Sequence, residues 1–372
     1  MDPINQFNRN LTRRTVLQQS LAGLGTAALA HLLPSSAQAG GILPGTHFPA
    51  KAKNVIYLFQ NGGPPHVDMF DYKPRIRDLH GKEVPPSYVE GKRFSTMTKD
   101  ANKAVMLAPM EAFKQYGQSG AWVSDLMPYT AGIADKICFI KSMHTEQVNH
   151  APAITFFLTG SGIPGRPAMG AWASYGLGSE NDNLPAYVVM TSVSKDTTCG
   201  QIFYDFYWGS GFLPTRHQGV KFRGGGDPVL YLNNPDGITR DMRRGFHDDL
   251  AALNQVKLDE TGDPEIATRI SQYEMAYRMQ ASVPELTDIG NEPQHVLDMY
   301  GPQVKERGTF AHNCLLARRL VERGTRFVQV MHAGWDHHRS LTTELYTQCN
   351  DTDQPSAALV RDLEQRGLLD DT

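Results

Sequence analysis

Four short runs of apolar, largely β-branched residues punctuate this chain, and each gives way to glycine, proline or polar side chains. The first, Asn54-Val55-Ile56-Tyr57-Leu58-Phe59, ends at Gln60-Asn61-Gly62-Gly63-Pro64. The others are Ile137-Cys138-Phe139-Ile140-Lys141, Ala186-Tyr187-Val188-Val189-Met190 and Arg326-Phe327-Val328-Gln329-Val330-Met331. Near-continuous apolar runs of this length are what strands covered on both faces require, so they predict buried strands of a parallel sheet. A helix from about Ser124 to Asp135 precedes the second run. The fourth follows the clearest helical pattern in the chain, about His312 to Arg323. There Cys314, Leu315, Ala317 and Val321 recur at helical spacing, Arg318, Arg319, Glu322 and Arg323 are expected to face out, and Gly324 stands where a C′ residue is wanted. A shorter helix is expected over Ala151–Leu158, with Asn149 as its cap and Pro152 tolerated in its first turn. Alternating strands and helices predict an α/β fold with a mostly parallel central sheet flanked by helices.

The texture changes between about Ser192 and Asp236, where glycine and proline are frequent and little periodicity survives. This stretch reads as a long Gly/Pro-rich loop insertion over one end of the sheet. Its Gly224-Gly225-Gly226 triplet lacks the Lys-Ser/Thr and the strand–helix context of a phosphate cradle and reads as a turn. From about Ile238 to Tyr300 the chain looks mostly helical, broken by Pro264, Pro284 and Pro293.

The amino-terminus alters the picture. Thr12-Arg13-Arg14-Thr15-Val16-Leu17 resembles a twin-arginine export signal, followed by a moderately apolar stretch to Leu33 and by Ala37-Gln38-Ala39, a small-residue cleavage site. Residues 1–39 are therefore expected to be a signal peptide recognised by the twin-arginine translocase. The mature protein, from about Gly40, is expected in the periplasm or outside the cell, with no stable membrane span. With 372 residues and 40% hydrophobic content the chain can build a substantial core. A formal charge of −3 without long single-sign runs gives no reason to expect nucleic acid as a partner. The four cysteines, Cys138, Cys199, Cys314 and Cys349, form no CxxC pair and are expected as separate buried thiols, with one or two disulfides as the alternative.

Candidate chemistry gathers in three loops that follow candidate strands. The first holds Asn61, His66, Asp68 and Asp71; the second His144, Glu146, Asn149 and His150; the third His332, Asp336, His337 and His338. In a parallel sheet, sites lie beyond the carboxyl ends of the strands, so these loops should converge. Histidine and carboxylate together suit Zn²⁺, Mn²⁺ or Fe in mixed N/O sites. If the strand continues past Met331, His332, Asp336 and His338 share one face and His337 points away. There is no Gly-x-Ser-x-Gly elbow, which leaves a Ser/His/Asp triad poorly supported.

The segment Asn149-His150-Ala151-Pro152-Ala153-Ile154-Thr155-Phe156-Phe157-Leu158-Thr159-Gly160 resembles the nucleophile segment of sulfatases, with Pro152, Leu158, Thr159 and Gly160 matching. Further stretches resemble the family known as domain of unknown function 1501, a sulfatase-like group in the alkaline phosphatase superfamily. They include Gly62-Gly63-Pro64, Asp68-Met69-Phe70-Asp71-Tyr72-Lys73-Pro74, Ser142-Met143-His144-Thr145, Gly165-Arg166-Pro167, Met169-Gly170-Ala171-Trp172 and Trp335-Asp336.

The resemblance implies an alkaline phosphatase/sulfatase-like domain over residues 40–372 and a metal-dependent hydrolase of sulfate or phosphate esters, small or polysaccharide. In that pattern Asn61 stands where a metal-binding Asp is usual, and His150 holds the nucleophile position. Asp336 and His338 correspond to ligands of a second metal, with Asp68 a further candidate ligand. His150 or His144 would bind metal or shuttle a proton, and the ion would be Zn, Mn, Ca or Mg. A histidine cannot become formylglycine, so negligible turnover of simple aryl sulfates is expected. Leu363–Thr372 resembles the helix end before a strand carrying an Asp-His ligand pair, so the domain is expected to lack its C-terminal strands. The alternative is a non-catalytic protein that binds an anionic polysaccharide or a protein partner on a retained hydrolase fold.

Overall fold

The computed structural model describes residues 41–92, 104–195, 201–230, 232–338 and 340–372. The expected signal peptide and Cys199 lie outside the described residues.

The described residues form six strands: β1 (Val55–Asn61), β2 (Phe113–Tyr116), β3 (Ala121–Ser124), β4 (Tyr187–Val193), β5 (Val220–Phe222) and β6 (Phe327–Ala333). Among the described residues seven longer helices join them: α1 (His150–Thr159), α2 (Met169–Leu177), α3 (Arg240–Thr261), α4 (Pro264–Thr287), α5 (Gln294–Tyr300), α6 (Phe310–Glu322) and α7 (Leu341–Gln365). Four strands form one parallel sheet in the order β1-β6-β4-β5, with Val55 and Tyr187 on either side of Phe327. β2 and β3 make a separate antiparallel hairpin.

Period-two alternation sorts the sheet residues onto two faces. Tyr57, Phe59, Tyr187, Val189, Phe327 and Met331 pack with Ile154 and Leu158 of α1 and Ala171 of α2. Phe157 of α1 stacks on the Tyr57 and Phe59 rings, each with centroids 6.1 Å away. The opposite face, with Val188, Met190, Val328 and Val330, is covered by α4, α5, α6 and α7. Leu315 and Leu320 of α6 are fully buried there, and burial of a leucine contributes roughly 1.5–3 kcal/mol.

Local chemistry sets the helix ends. The Thr309 hydroxyl accepts the His312 amide at 3.2 Å to cap α6, and Gly324 takes the left-handed conformation (φ 84°) just past its end. Asp263 caps α4, whose first residue is Pro264. Asn149 occupies the N-cap of α1 in extended conformation but makes no side-chain capping bond. No helix of the described residues is long and apolar enough to cross a membrane.

Several expectations need correction. Ile137–Lys141 is not a strand: Ile137 is extended, but Cys138 and Ile140 face solvent and only Phe139 packs inward, on Phe70. The run is apolar throughout yet exposed on alternate residues, so it is not covered on both faces as its composition predicts. The helix expected over Ser124–Asp135 is a strand end, a helical turn at Pro128–Ala131 and a 3₁₀ turn at Ala134–Lys136, cut apart by Pro128 and Gly132. Within the Gly/Pro-rich insertion lies β5, a three-residue strand too short to show a period. Pro284 sits inside α4, near its C-terminal end, and does not break it. Cys138 is an exposed free thiol, while Cys314 and Cys349 are buried and free.

The largest correction concerns α6, which is buried on all sides. Arg318 is 1% exposed, its guanidinium 2.9 Å from Asp362 and 2.7 Å from both Glu292 and Glu322. Burial opposes its charge, but these carboxylates outweigh that cost and hold it protonated. Arg319 is likewise buried, donating to the Leu286 and Glu285 carbonyls. Charged residues at the expected solvent positions instead bind α6 to α4, α7 and the α4–α5 connection.

Candidate metal centre

His150 is the first residue of α1, and the stacking of Phe157 on β1 aims the start of that helix at the carboxyl end of the sheet. Past the end of β6, Gly334 (φ 120°) turns the chain so that Asp336 and His338 come back over the same edge. The result is a compact group in which one nitrogen of His150, one oxygen of Asp336 and one nitrogen of His338 lie within 4.8 Å of one another. His150 Nε2 is 3.2 Å from Asp336 Oδ2, and His338 Nε2 is 2.9 Å from Asp336 Oδ1. The Gln201 side-chain amide donates to Asp336 Oδ2 at 2.7 Å, fixing the carboxylate plane. Both histidines are open to solvent, at 41% and 47%, whereas Asp336 is mostly covered at 12%.

Asn61 lies at the same end of the sheet. It ends β1 on the face that α1 covers, and its carbonyl accepts the Trp335 amide at 3.2 Å. Its side chain is fully buried, and neither Oδ1 nor Nδ2 has a hydrogen-bond partner among the described residues. A buried amide without partners costs about 1–3 kcal/mol per unsatisfied group, which sets Asn61 apart from the other residues at this edge. Next to it, Gly62 lies so close to the β6 loop that a Cβ would sit 2.4 Å from the Asp336 amide nitrogen. Only glycine allows the β1 and β6 loops to meet this tightly.

The donor set fits a divalent cation. Two imidazole nitrogens and a carboxylate oxygen are the ligand types of mixed N/O sites, and catalytic zinc sites use three protein ligands with one position open. Bonds of about 2 Å put ligand atoms of one ion roughly 3.3 Å apart, close to the His150–Asp336 separation. Calcium and magnesium prefer an all-oxygen shell, so zinc or manganese matches better.

Other candidates fall elsewhere. His144 is exposed on the loop before α1 and is not part of the group. Asp68 is buried and accepts the Met110 amide at 3.0 Å, a structural tie between two loops; burial raises its pKa. Asp71 is occupied locally by Lys73 at 2.6 Å and His66 at 3.1 Å. His337 turns inward beside Trp335.

His332 does not share a face with Asp336 and His338, because the strand ends at Ala333 and the chain turns at Gly334. It lies on the α6 side of the sheet, 2% exposed, with Nδ1 2.9 Å from Ser192 Oγ. Its Nε2 is 3.0 Å from Gln348 Oε1 and 3.2 Å from Ser194 Oγ. Ser194 donates its one proton to Asp351 at 2.5 Å, and Asp351 also accepts from Gln303. The amide oxygen of Gln348 then requires the proton on Nε2. Although Ser, His and Asp meet here, the carboxylate holds the serine instead of the imidazole and solvent is excluded. That is the reverse of a nucleophilic triad.

Sequence reasoning missed Gln201, Gly62 in its packing role, and the partners of His332. Nothing in a single sequence marks Gln201, one of many polar residues in an aperiodic stretch.

The family model described as "Protein of unknown function (DUF1501)" matches residues 52–372. No curated protein and no solved structure matches the chain.

Proposed function

The chain belongs to the family "Protein of unknown function (DUF1501)", and from that premise we propose that it is an exported, sulfatase-like hydrolase of the alkaline phosphatase superfamily, metal-dependent and acting on sulfate or phosphate esters. The observation that carries the reading is the meeting of His150, Asp336 and His338 beyond the carboxyl ends of parallel strands. His150, Asp336 and His338 would hold the ion, with Zn²⁺ or Mn²⁺ the better chemical match. Such an ion supplies Lewis-acid polarisation of an ester oxygen and lowers the pKa of bound water. Gln201 orients the Asp336 carboxylate, as partners of metal ligands commonly do. The two imidazoles are open to solvent, which would leave a substrate access to the ion. Export rests on Arg13, Arg14 and the Ala37-Gln38-Ala39 site.

Metal content and ester hydrolysis of the purified chain test this reading together. We expect near one Zn²⁺ or Mn²⁺ per chain, metal-dependent cleavage of phosphate or sugar-sulfate esters, and loss of both in Asp336→Asn, His150→Ala and His338→Ala with folding intact. Unchanged metal content and activity in all three variants would replace this reading with that of a binding protein. Mass analysis of His150 should show no oxidation to an aldehyde.

A further inference from the structure

A second cleft, with no residue in common with the His150 centre, opens on the α6 side of the sheet beyond β5. It has a volume of about 350 Å³ and is lined by the loop after β5, the end of α4 and the turn before α6. A much smaller hollow of about 10 Å³ shares Arg307 and His312 with it and reaches Met190 and Phe222 on the sheet itself, with Arg223 at its side. Volumes of this order suit a small organic molecule.

The cleft is built, not incidental. Gly224 and Gly308 hold its two lips together: a Cβ on Gly224 would stand 2.4 Å from Gly308 Cα, so backbone crosses backbone where no side chain fits. This gives the first glycine of the Gly224-Gly225-Gly226 triplet a definite task. On the wall stands His312, 4% exposed. Its Nδ1 is 2.9 Å from the Val304 carbonyl, which requires the proton on that nitrogen. Nε2 is then a bare acceptor, without a partner among the described residues, on a ring that lines the cavity. Burial keeps the ring neutral by lowering its pKa, and nearby Arg307 acts in the same direction.

Charge completes the description. Lys305, Arg307 and Arg223 supply three cations, against the carboxylates of Asp227 and Asp288. Both carboxylates are engaged within their own loops: Asp227 accepts from Asn233 at 2.8 Å and Asp288 from the Gly290 amide at 2.9 Å. No carboxylate among the described residues pairs with the Arg223 or Arg307 guanidinium. An unpaired arginine pair beside a buried, neutral acceptor asks for a ligand bearing both an anionic group and a hydroxyl.

We propose that this cleft binds a small hydroxylated organic anion, a sugar carrying a carboxylate, phosphate or sulfate, with Arg223 and Arg307 on the anionic group and His312 Nε2 accepting from a sugar hydroxyl. The cleft binds its ligand whether or not the His150 centre turns over an ester.

Isothermal titration of the full chain at low salt with glucuronate, glucose 6-phosphate, glucose and acetate tests it. At least one anionic sugar should bind about tenfold or more tighter than glucose, reflecting charge-assisted hydrogen bonds. It should also bind tighter than acetate, which lacks the hydroxyls; which of the two sugars wins identifies the anionic group. Arg307→Gln and Arg223→Gln, both at exposed positions, should each weaken binding about tenfold, and Asp336→Asn should leave it unchanged. Absence of heat with both anionic sugars, equal affinity for glucose, indifference to both arginine substitutions, or loss in Asp336→Asn would each overturn the assignment.

Discussion

Two histidine clusters stand at the same edge of one sheet, on opposite faces, and they differ in almost every physical respect. On the α1 face, His150 and His338 are about half open to solvent and share one carboxylate. On the α6 face, His332 is sealed, and each ring nitrogen already faces a protein partner. The first cluster has coordination capacity to spare and few local obligations. The second has every obligation met inside the protein, which is what a specifying buried network looks like. Proximity of His, Ser and Asp is therefore a poor guide to reactivity; access and unspent lone pairs discriminate better.

The contrast breaks most sharply at His332. His332→Ala should destabilise the fold by about 3 kcal/mol, since it strands Ser192 and Gln348 and opens a cavity. His150→Ala, at a half-exposed position, should stay within about 1 kcal/mol of wild type. Urea unfolding of both variants measures the difference, and equal losses would erase the distinction between the clusters.

Zinc sharpens it from the other side. At a free concentration about 100 times its dissociation constant, Zn²⁺ should stabilise the wild type by about 2.7 kcal/mol and Asp336→Asn far less. His332→Gln should retain most of that gain. Thermal shift with and without chelator provides the reading.

pH gives the third test. Burial pushes the His332 pKa down to about 4, from an ordinary value near 6.5, and the negative charge of Asp351 and the hydrogen bond to Gln348 only partly oppose this. The unfolded chain binds that proton below about pH 6.5 while the folded chain does not. Stability is therefore full above that pH and falls as pH drops toward 4, at up to about 1.4 kcal/mol per unit. His217, lowered to about 4 chiefly by burial and also by Arg216, adds to the same slope. A flat stability profile between pH 4 and 6.5 would contradict the sealed state of His332.

The smallest expected effect belongs to Gln201→Ala. Releasing the Asp336 carboxylate should weaken zinc about tenfold while leaving the melting temperature without metal nearly unchanged.

Much of this was legible in the chain. The runs around Val55–Phe59, Tyr187–Met190 and Phe327–Met331 are strands because continuous β-branched and aromatic residues suit a sheet covered on both faces. The ends of α6 follow from Thr309 and Gly324. What failed shares a cause: periodicity reports which residues differ, not what lies opposite them. Arg318 looked like a solvent residue because no pattern announces Glu292 or Asp362 waiting on other elements. A continued strand puts His332 and Asp336 on one face, and nothing in the sequence alone announces the turn at Gly334. His150 and Asp336 could be nominated separately, but their pairing is a tertiary event. Gln201 carried no signal.

The strand order β1-β6-β4-β5 also constrains how the molecule comes into being. Among the described residues the only sheet neighbour of β1 is β6, the latest of the four sheet strands along the chain. Until Phe327–Ala333 exists, Val55–Asn61 has nowhere to pair, and Tyr57 and Phe59 lack the rest of their cluster. Such long-range closure slows folding and prolongs exposure of an unpaired, sticky edge. Nascent chains truncated before Phe327 should show protease cleavage within Val55–Asn61, and protection there would mean that β1 finds a temporary partner. The earliest strand of this sheet is thus secured only once the latest of its four has been made, and until then its open edge can pair with another chain.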